Sequence, residues 1–131
     1  MLQPKNKFNK ILLIDDNPID NLISQRYINA AKIANECITI DSSLDAYDYF
    51  DELPAKDFPD VILLDLNMPM YNGFEFLDKI ETLVNAHKIN SKVYILTSSN
   101  NPKDLQKART YNAVADYFVK PLNADLVNKI N

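Results

Sequence analysis

Short apolar runs alternate with longer amphipathic segments along this chain, and four of the runs end at polar side chains. The runs occupy residues 11–14, 61–64, 93–96 and 117–119, and the residues that follow them are Asp15 and Asp16, Asp65, Thr97 and Lys120. Apolar runs this short are typical of buried strands, whereas the segments between them repeat apolar residues at helical spacing. This alternation predicts successive strand–helix units and therefore a parallel sheet.

The pattern predicts five strands and five helices in one domain. We predict strands at 10–15, 36–41, 60–65, 92–97 and 115–119, and helices at 18–33, 43–53, 73–88, 101–112 and 123–130. Asn17-Pro18 and Asn101-Pro102 mark helix starts, because asparagine caps a helix and proline fits its first turn. Residues 1–9 are mostly polar, so we predict a mobile lead there and a single domain over residues 10–131.

The polar residues after the strands form the candidate site. The carboxyl ends of parallel strands lie at one edge of a sheet, where α/β proteins bind their ligands. We therefore expect a convergence of five side chains, those of Asp15, Asp16, Asp65, Thr97 and Lys120. Each alone has a common structural explanation, such as a helix cap, a turn or a solvated lysine. Together, carboxylates, a hydroxyl and an ammonium could hold a divalent metal and handle a phosphoryl group.

The composition excludes several classes of protein and of binding site. The chain has 131 residues, 47% of them hydrophobic and 24% charged, which suits one globular domain. A net charge of −4 argues against a nucleic-acid partner, and no apolar run is long enough for a membrane span. Gly73 is the only glycine, so the glycine-rich loops that bind nucleotide phosphates cannot be assembled. Cys37 is the only cysteine and lies in an apolar stretch, which predicts a buried, reduced strand residue and a cytoplasmic location.

Four motifs occur in the order found in one known family. They are Leu13-Ile14-Asp15-Asp16, Leu64-Asp65-Leu66-Asn67-Met68-Pro69 with Gly73, Leu96-Thr97-Ser98, and Tyr117-Phe118-Val119-Lys120-Pro121. Through these motifs, residues 9–131 resemble the receiver domain of bacterial two-component response regulators, of the chemotaxis-receiver type. The resemblance implies a flavodoxin-like α/β fold, with a doubly wound five-stranded parallel sheet in the order 2-1-3-4-5 and five flanking helices. Since the last predicted helix ends with the chain, we expect a stand-alone receiver.

The resemblance also implies roles for the site residues. Asp65 would accept a phosphoryl group from the phosphohistidine of a histidine kinase or a histidine phosphotransfer protein. Asp16, Asp65 and the backbone carbonyl of Asn67 would bind Mg²⁺ directly, with Asp15 acting through a water and Mn²⁺ as the alternative ion. Oxygen ligands of this kind suit Mg²⁺. Lys120 and Thr97 would stabilise the negative charge of the phosphoryl oxygens.

Thr97 and Tyr117 form the switch that the resemblance implies. Phosphorylation would draw the Thr97 hydroxyl toward the phosphoryl group and turn Tyr117 inward, which remodels the surface of the fourth helix, fifth strand and fifth helix. The receiver would then either bind an unidentified downstream protein or pass the phosphate onward in a relay. Asn67 and Ser99 occupy variable positions beside the phosphoryl group, so we expect them to set the lifetime of the phosphate. We also predict that Ile19 is partly exposed and helps to dock the phosphodonor protein.

One alternative is an aspartate-nucleophile phosphatase of the haloacid dehalogenase type, which also uses Asp, Thr, Lys and Mg²⁺ on a parallel sheet. That class has a second aspartate two residues after the nucleophile, where this chain has Asn67. A flavodoxin-like electron carrier is disfavoured because its phosphate loop needs several glycines. We therefore expect a signalling domain that takes part in its own phosphorylation and dephosphorylation, rather than an enzyme.

Overall fold

A five-stranded parallel sheet organises the molecule, a computed structural model that describes residues 7–70, 72–98 and 101–130. The strands are β1 (Phe8–Ile14), β2 (Ala34–Ile40), β3 (Val61–Leu64), β4 (Lys92–Thr97) and β5 (Val114–Val119). Their order is β2-β1-β3-β4-β5, which confirms the expected order and the doubly wound α/β fold. Because β1 begins at Phe8, the strand includes the last two residues of the predicted lead. Residues 1–6 of that lead lie outside the described residues.

Helices connect the strands in the predicted order. They are α1 (Pro18–Ala31), α2 (Ser43–Glu52), α3 (Gly73–His87), α4 (Pro102–Ala108) and α5 (Ala124–Val127), with a 3₁₀ turn at Ala55–Asp57. Asn17 and Asn101 cap α1 and α4 as predicted, because each side chain accepts a hydrogen bond from a backbone N–H of the first turn.

The last two helices are shorter than the predicted ranges 101–112 and 123–130. After Ala108 the backbone N–H and the hydroxyl of Thr110 both donate to the carbonyl of Lys107, at 3.1 and 2.6 Å. Such local bonds compete with the regular helical ladder and end it. After α5 the N–H of Ile130 donates to the carbonyl of Val127 at 3.0 Å, so the chain continues as a tighter turn.

Two apolar clusters pack on opposite faces of the sheet, because successive side chains of a strand point to opposite faces. Leu12 and Ile62 belong to one cluster, and Ile11 and Leu63 belong to the other. In and around the last helix, the buried side chains Leu122, Val127 and Ile130 belong to the second cluster. β3 is buried at every position and therefore lies at the centre of the core.

Cys37 lies on the edge strand β2 and is only half-buried, so it is more exposed than predicted. Burial still raises the pKa of its thiol to about 11. The thiol is therefore protonated at neutral pH and is a weak nucleophile.

The residue that follows each of β1, β3 and β5 still donates a backbone hydrogen bond to the neighbouring strand. These bonds hold the backbone of the polar residues at the strand ends. The hydrogen bonds run from backbone N–H to carbonyl and are Asp15 to Ile40 (3.2 Å), Asp65 to Ile14 (3.0 Å) and Lys120 to Thr97 (2.8 Å). The backbone at Asp15, Asp65 and Lys120 thus extends the sheet, and these three side chains begin from one edge.

Candidate functional site

Three carboxylates gather at the carboxyl edge of the sheet, as the sequence predicts. One oxygen from each of Asp15, Asp16 and Asp65 lies within 4.8 Å of the others. Asp15 and Asp65 are each 5% exposed, whereas Asp16 faces solvent. Carboxylates this close repel one another unless a cation lies among them, and Mg²⁺ prefers such oxygen ligands. The donor set therefore fits a hard divalent metal.

The loops after β1 and β3 hold the two buried carboxylates through backbone N–H groups. The N–H of Asn17 donates to Oδ1 of Asp15 at 2.9 Å, and the N–H of Asn67 donates to Oδ1 of Asp65 at 3.1 Å. Both are local turns in which an aspartate accepts from the residue two positions on. Each turn fixes one carboxylate oxygen and directs the other, Oδ2, toward Lys120.

Gly73 allows α3 to begin directly against the loop that carries Asp65. Its N–H donates to the carbonyl of Leu66 at 2.9 Å. A Cβ at this position would lie 2.5 Å from Cα of Leu66 and 2.8 Å from the carbonyl oxygen of Asp65, closer than atoms can pack. Any side chain here would therefore displace the backbone of the acidic loop.

The ammonium of Lys120 contacts three carboxylates. Its Nζ lies 2.5 Å from Oδ2 of Asp15, 2.9 Å from Oδ2 of Asp20 and 3.0 Å from Oδ2 of Asp65. Burial lowers the pKa of Lys120, but the hydrogen bonds to these carboxylates outweigh burial and raise the pKa above its ordinary value. The lysine therefore stays charged and partly compensates the acidic cluster. The peptide bond between Lys120 and Pro121 is cis.

Burial also affects Asp15. It raises the pKa of this carboxyl above its usual value, although the hydrogen bonds from Lys120 and from the N–H of Asn17 act in the opposite direction. The amide of Asn21 donates to the backbone carbonyl of Asp15 at 2.9 Å and to that of Ile40 at 3.3 Å. Asn21 therefore ties the ends of β1 and β2 together beneath the site.

Thr97 lies fully buried at the end of β4, beside Asn67. The side-chain amide of Asn67 donates to Oγ1 of Thr97 at 3.3 Å. This contact joins a residue predicted to set phosphate lifetime to a residue predicted to act as a switch. Ser99, the other predicted lifetime residue, lies outside the described residues.

Tyr117 lies half-buried on β5 and packs against the first apolar cluster. Burial raises the pKa of its hydroxyl, and the charges of Asp104 and Asp65 raise the pKa further. The hydroxyl of Tyr117 therefore lies within electrostatic reach of Asp65 and Asp104.

A family model for the response regulator receiver domain matches residues 11–131, a range that contains every predicted site residue. The chain belongs to the response regulator receiver family. It is thus a signalling domain of two-component systems, and the dehalogenase-type phosphatase receives no support. Receivers bind a divalent metal and interact with histidine kinases and downstream effectors, which agrees with the acidic cluster of Asp15, Asp16 and Asp65.

Relatives and solved receivers agree with this assignment. Two-component response regulator ORR1 of Oryza sativa subsp. japonica is 30% identical over 126 residues, which cover 92% of this chain and 53% of that protein. The match thus spans about half the length of that relative. A two-component response regulator from Cytophaga hutchinsonii has a TM-score of 0.84 and 34% identity, with 94% of this chain and 93% of that chain covered. The Mn²⁺-bound form of response regulator Rcp1 has a TM-score of 0.72 and 28% identity, with 92% and 87% covered.

Asp20 is the site residue that sequence reasoning missed in this receiver. It lies in the first turn of α1 and contacts Lys120. In the sequence it resembles the ordinary first-turn acids of the other helices, which are Asp45, Glu75, Asp104 and Asp125. The available signal was its place in the first turn of the helix that starts beside the site.

Across the described ranges, no helix is long and apolar enough to cross a membrane.

Proposed function

We propose that this receiver accepts a phosphoryl group on Asp65 from the phosphohistidine of a histidine kinase or a histidine phosphotransfer protein. An Asp65 carboxylate oxygen attacks the phosphorus, the P–O bond forms as the P–N bond to histidine breaks, and the imidazole leaves with the electron pair. The observation that carries the proposal is the contact between Asp65 and Lys120. A buried carboxylate lies 3.0 Å from an ammonium, at the edge of the sheet where such folds bind ligands.

Residues around Asp65 would stabilise the charge of the transferring group. Lys120 supplies an ammonium and Thr97 a hydroxyl to the phosphoryl oxygens. Asp15, Asp16, Asp65 and the backbone carbonyl of Asn67 would hold Mg²⁺, which when bound neutralises negative charge on the phosphoryl oxygens. Mn²⁺ accepts the same oxygen ligands, and the solved Rcp1 structure is a Mn²⁺-bound form.

Thr97 and Tyr117 would carry the response to phosphorylation. The Thr97 hydroxyl turns to donate to a phosphoryl oxygen, which changes its 3.3 Å contact with the amide of Asn67. Tyr117 then turns inward, and the surface of α4, β5 and α5 favours the arrangement that a downstream protein binds. Asn67 sets the lifetime of the phosphate together with Ser99. The cytoplasmic location stays a prediction.

The test of the phosphoacceptor uses acetyl phosphate, which needs no partner protein. With Mg²⁺ present, the wild-type chain should gain one phosphoryl group, and Asp65→Asn should gain none because the amide is not a nucleophile. Intact-mass measurement gives the stoichiometry. Stoichiometric labelling of Asp65→Asn, or continuous turnover of a phosphomonoester by the wild-type chain, would contradict the proposal and favour the phosphatase.

Exposed apolar side chains on α1 support a docking site for the phosphodonor protein. Ile19 is 65% exposed, in agreement with the exposure predicted for it, and Leu22 is 47% exposed. A groove between α1 and the connection from β5 to α5 lies along the same helix and includes Ile23, Tyr27 and Leu122. Apolar surface next to a reaction site is typical of protein interfaces.

Ile19→Ala should therefore slow transfer from a phosphorylated histidine phosphotransfer protein about fivefold to tenfold, as expected for a contact of moderate strength. Labelling by acetyl phosphate should not change, because Ile19 is not among the residues that contact Asp65. The matched control is Leu44→Ala, which removes an apolar side chain of 47% exposure from the first turn of α2. Equal transfer rates in the two variants would remove α1 from the docking surface.

A further inference from the structure

The ammonium of Lys120 has three hydrogens and faces three carboxylates, and these carboxylates differ in what else they do. Asp15 and Asp65 belong to the cluster that fits a divalent metal, and Asp65 is also the proposed phosphoacceptor. Asp20 belongs to neither group, although its Oδ2 lies 2.9 Å from Nζ of Lys120. Its carboxylate therefore contacts the site through Lys120.

The start of α1 fixes Asp20 at the site. The side chain of Asn17 accepts hydrogen bonds from the N–H groups of Ile19 and Asp20 at 2.9 and 3.3 Å, and Pro18 occupies the first turn. The Asp20 side chain is 34% exposed and that of Lys120 is 13% exposed, so their contact is partly shielded from solvent. A rigid first turn thus presents a carboxylate to a largely buried ammonium.

Comparison with the other helices separates this contact from a helix-dipole effect. The third helical position also carries an acid in α2, α3 and α4, as Asp45, Glu75 and Asp104. Such acids favour the positive end of a helix wherever they occur. Within the described part of the chain, none of these three forms an ion pair. The dipole explains an acid at this position, but it does not explain the ion pair of Asp20.

We propose that Asp20 is a positioning residue, which holds the Lys120 ammonium beside Asp65 while Asp15 and Asp65 serve metal binding and phosphoryl transfer. The inference rests on the proposed phosphoacceptor role of Asp65. A lysine side chain is long and flexible, so its ammonium needs an anchor to remain in one place. Asp20 is the anchor that the proposed reaction does not use for anything else.

The first experiment compares Asp20→Asn with Asp45→Asn in the full chain, using acetyl phosphate and Mg²⁺. Both variants remove a carboxylate from the third position of a helix, but Asp45 is exposed on α2 and does not contact Lys120. We expect Asp20→Asn to slow labelling of Asp65 about threefold to tenfold, the range typical of coupled neighbours. Asp45→Asn should react at the wild-type rate, and Asp20→Glu should recover most of the loss because it restores the charge. Thermal melts verify that each variant is folded.

A second measurement reads the ammonium directly. In ¹⁵N-labelled protein with Mg²⁺ and beryllium trifluoride, a phosphoryl analogue, the Lys120 ammonium should give a sharp NMR signal in the wild-type chain and in Asp45→Asn. It should broaden in Asp20→Asn, a change that loss of helix stability alone would not cause.

The outcomes distinguish a failure of the positioning role of Asp20 from a failure of the phosphoacceptor role of Asp65. A wild-type or faster labelling rate in Asp20→Asn overturns the positioning role. An unchanged ammonium signal in that variant, or a signal already broad in the wild-type chain, also overturns it. If the wild-type chain takes no label at all, the phosphoacceptor function of Asp65 fails and the inference fails with it.

Discussion

The two aspartates that flank β3 lie in different surroundings at the two ends of the strand. Asp60 lies just before β3, and Asp65 lies just after it. At the amino end, Oδ2 of Asp60 accepts hydrogen bonds from the backbone N–H groups of Asn9 and Lys10 at 2.7 and 3.2 Å. This carboxylate joins the start of β1 to the start of β3, and its charge is matched by fixed donors.

At the carboxyl end, Asp65 lies among other carboxylates. One of its oxygens is within 4.8 Å of oxygens from Asp15 and Asp16, and the ammonium of Lys120 contacts it. Like charges held this close destabilise a fold unless a cation binds between them. The comparison teaches that the two ends of the strand differ in charge. Fixed donors match the carboxylate of Asp60, whereas the carboxylates around Asp65 would fit a divalent metal.

We expect Mg²⁺ to bind at the Asp65 end of the sheet and to stabilise the folded chain. This stabilisation is the largest effect on the free energy of unfolding that we expect. An ion that binds only the folded chain should raise its free energy of unfolding by about 2.7 kcal/mol at a hundredfold excess over Kd. Asp16→Asn should lose most of this gain, because a carboxylate ligand is missing. Without metal, the same variant should be about 1 kcal/mol more stable than the wild-type chain, because one repelling charge is gone.

Thermal melts of both proteins with and without Mg²⁺ measure these differences. The matched control is Asp60→Ala, whose Mg²⁺ response should equal that of the wild-type chain because Asp60 lies at the opposite end of β3. Equal Mg²⁺ shifts in Asp16→Asn and the wild-type chain would mean that the acidic cluster is not the metal site.

Asp60→Ala should destabilise the fold by about 2 kcal/mol, because two backbone N–H groups lose a charged acceptor. Urea unfolding measures the change. Labelling of Asp65 by acetyl phosphate should still reach one group per chain.

Asp65→Asn should show the reverse. It should lose labelling, but its free energy of unfolding should change by less than about 1 kcal/mol, because the lost ion pair and the relieved repulsion offset each other. Loss of labelling in a folded Asp60→Ala chain would contradict the expected difference between the two ends of β3.

Most of the site was predictable from sequence because its residues follow strands that are buried on both faces. The apolar runs of β3 and β4 mark where each strand ends, so the positions of Asp65 and Thr97 at those ends follow from the sequence alone. Parallel topology then requires those ends to share one edge of the sheet. Lys120 follows the same rule after β5.

Asp20 and the lengths of α4 and α5 were not predictable, for two different physical reasons. Asp20 and Lys120 are 100 residues apart in sequence, and their contact depends on how α1 packs rather than on any periodic pattern. The early end of α4 depends on a local competition, in which Thr110 bonds back to the carbonyl of Lys107. Hydrophobic spacing does not report either effect.

The most direct test is to identify the residue that accepts the phosphoryl group. The chain is treated with acetyl phosphate and Mg²⁺, the acyl phosphate is trapped by borohydride reduction, and the modified peptide is mapped by mass spectrometry. We predict modification at Asp65 alone. Modification at Asp15, Asp16, Asp20 or Asp60 in its place, or no modification at any carboxylate, would contradict the account.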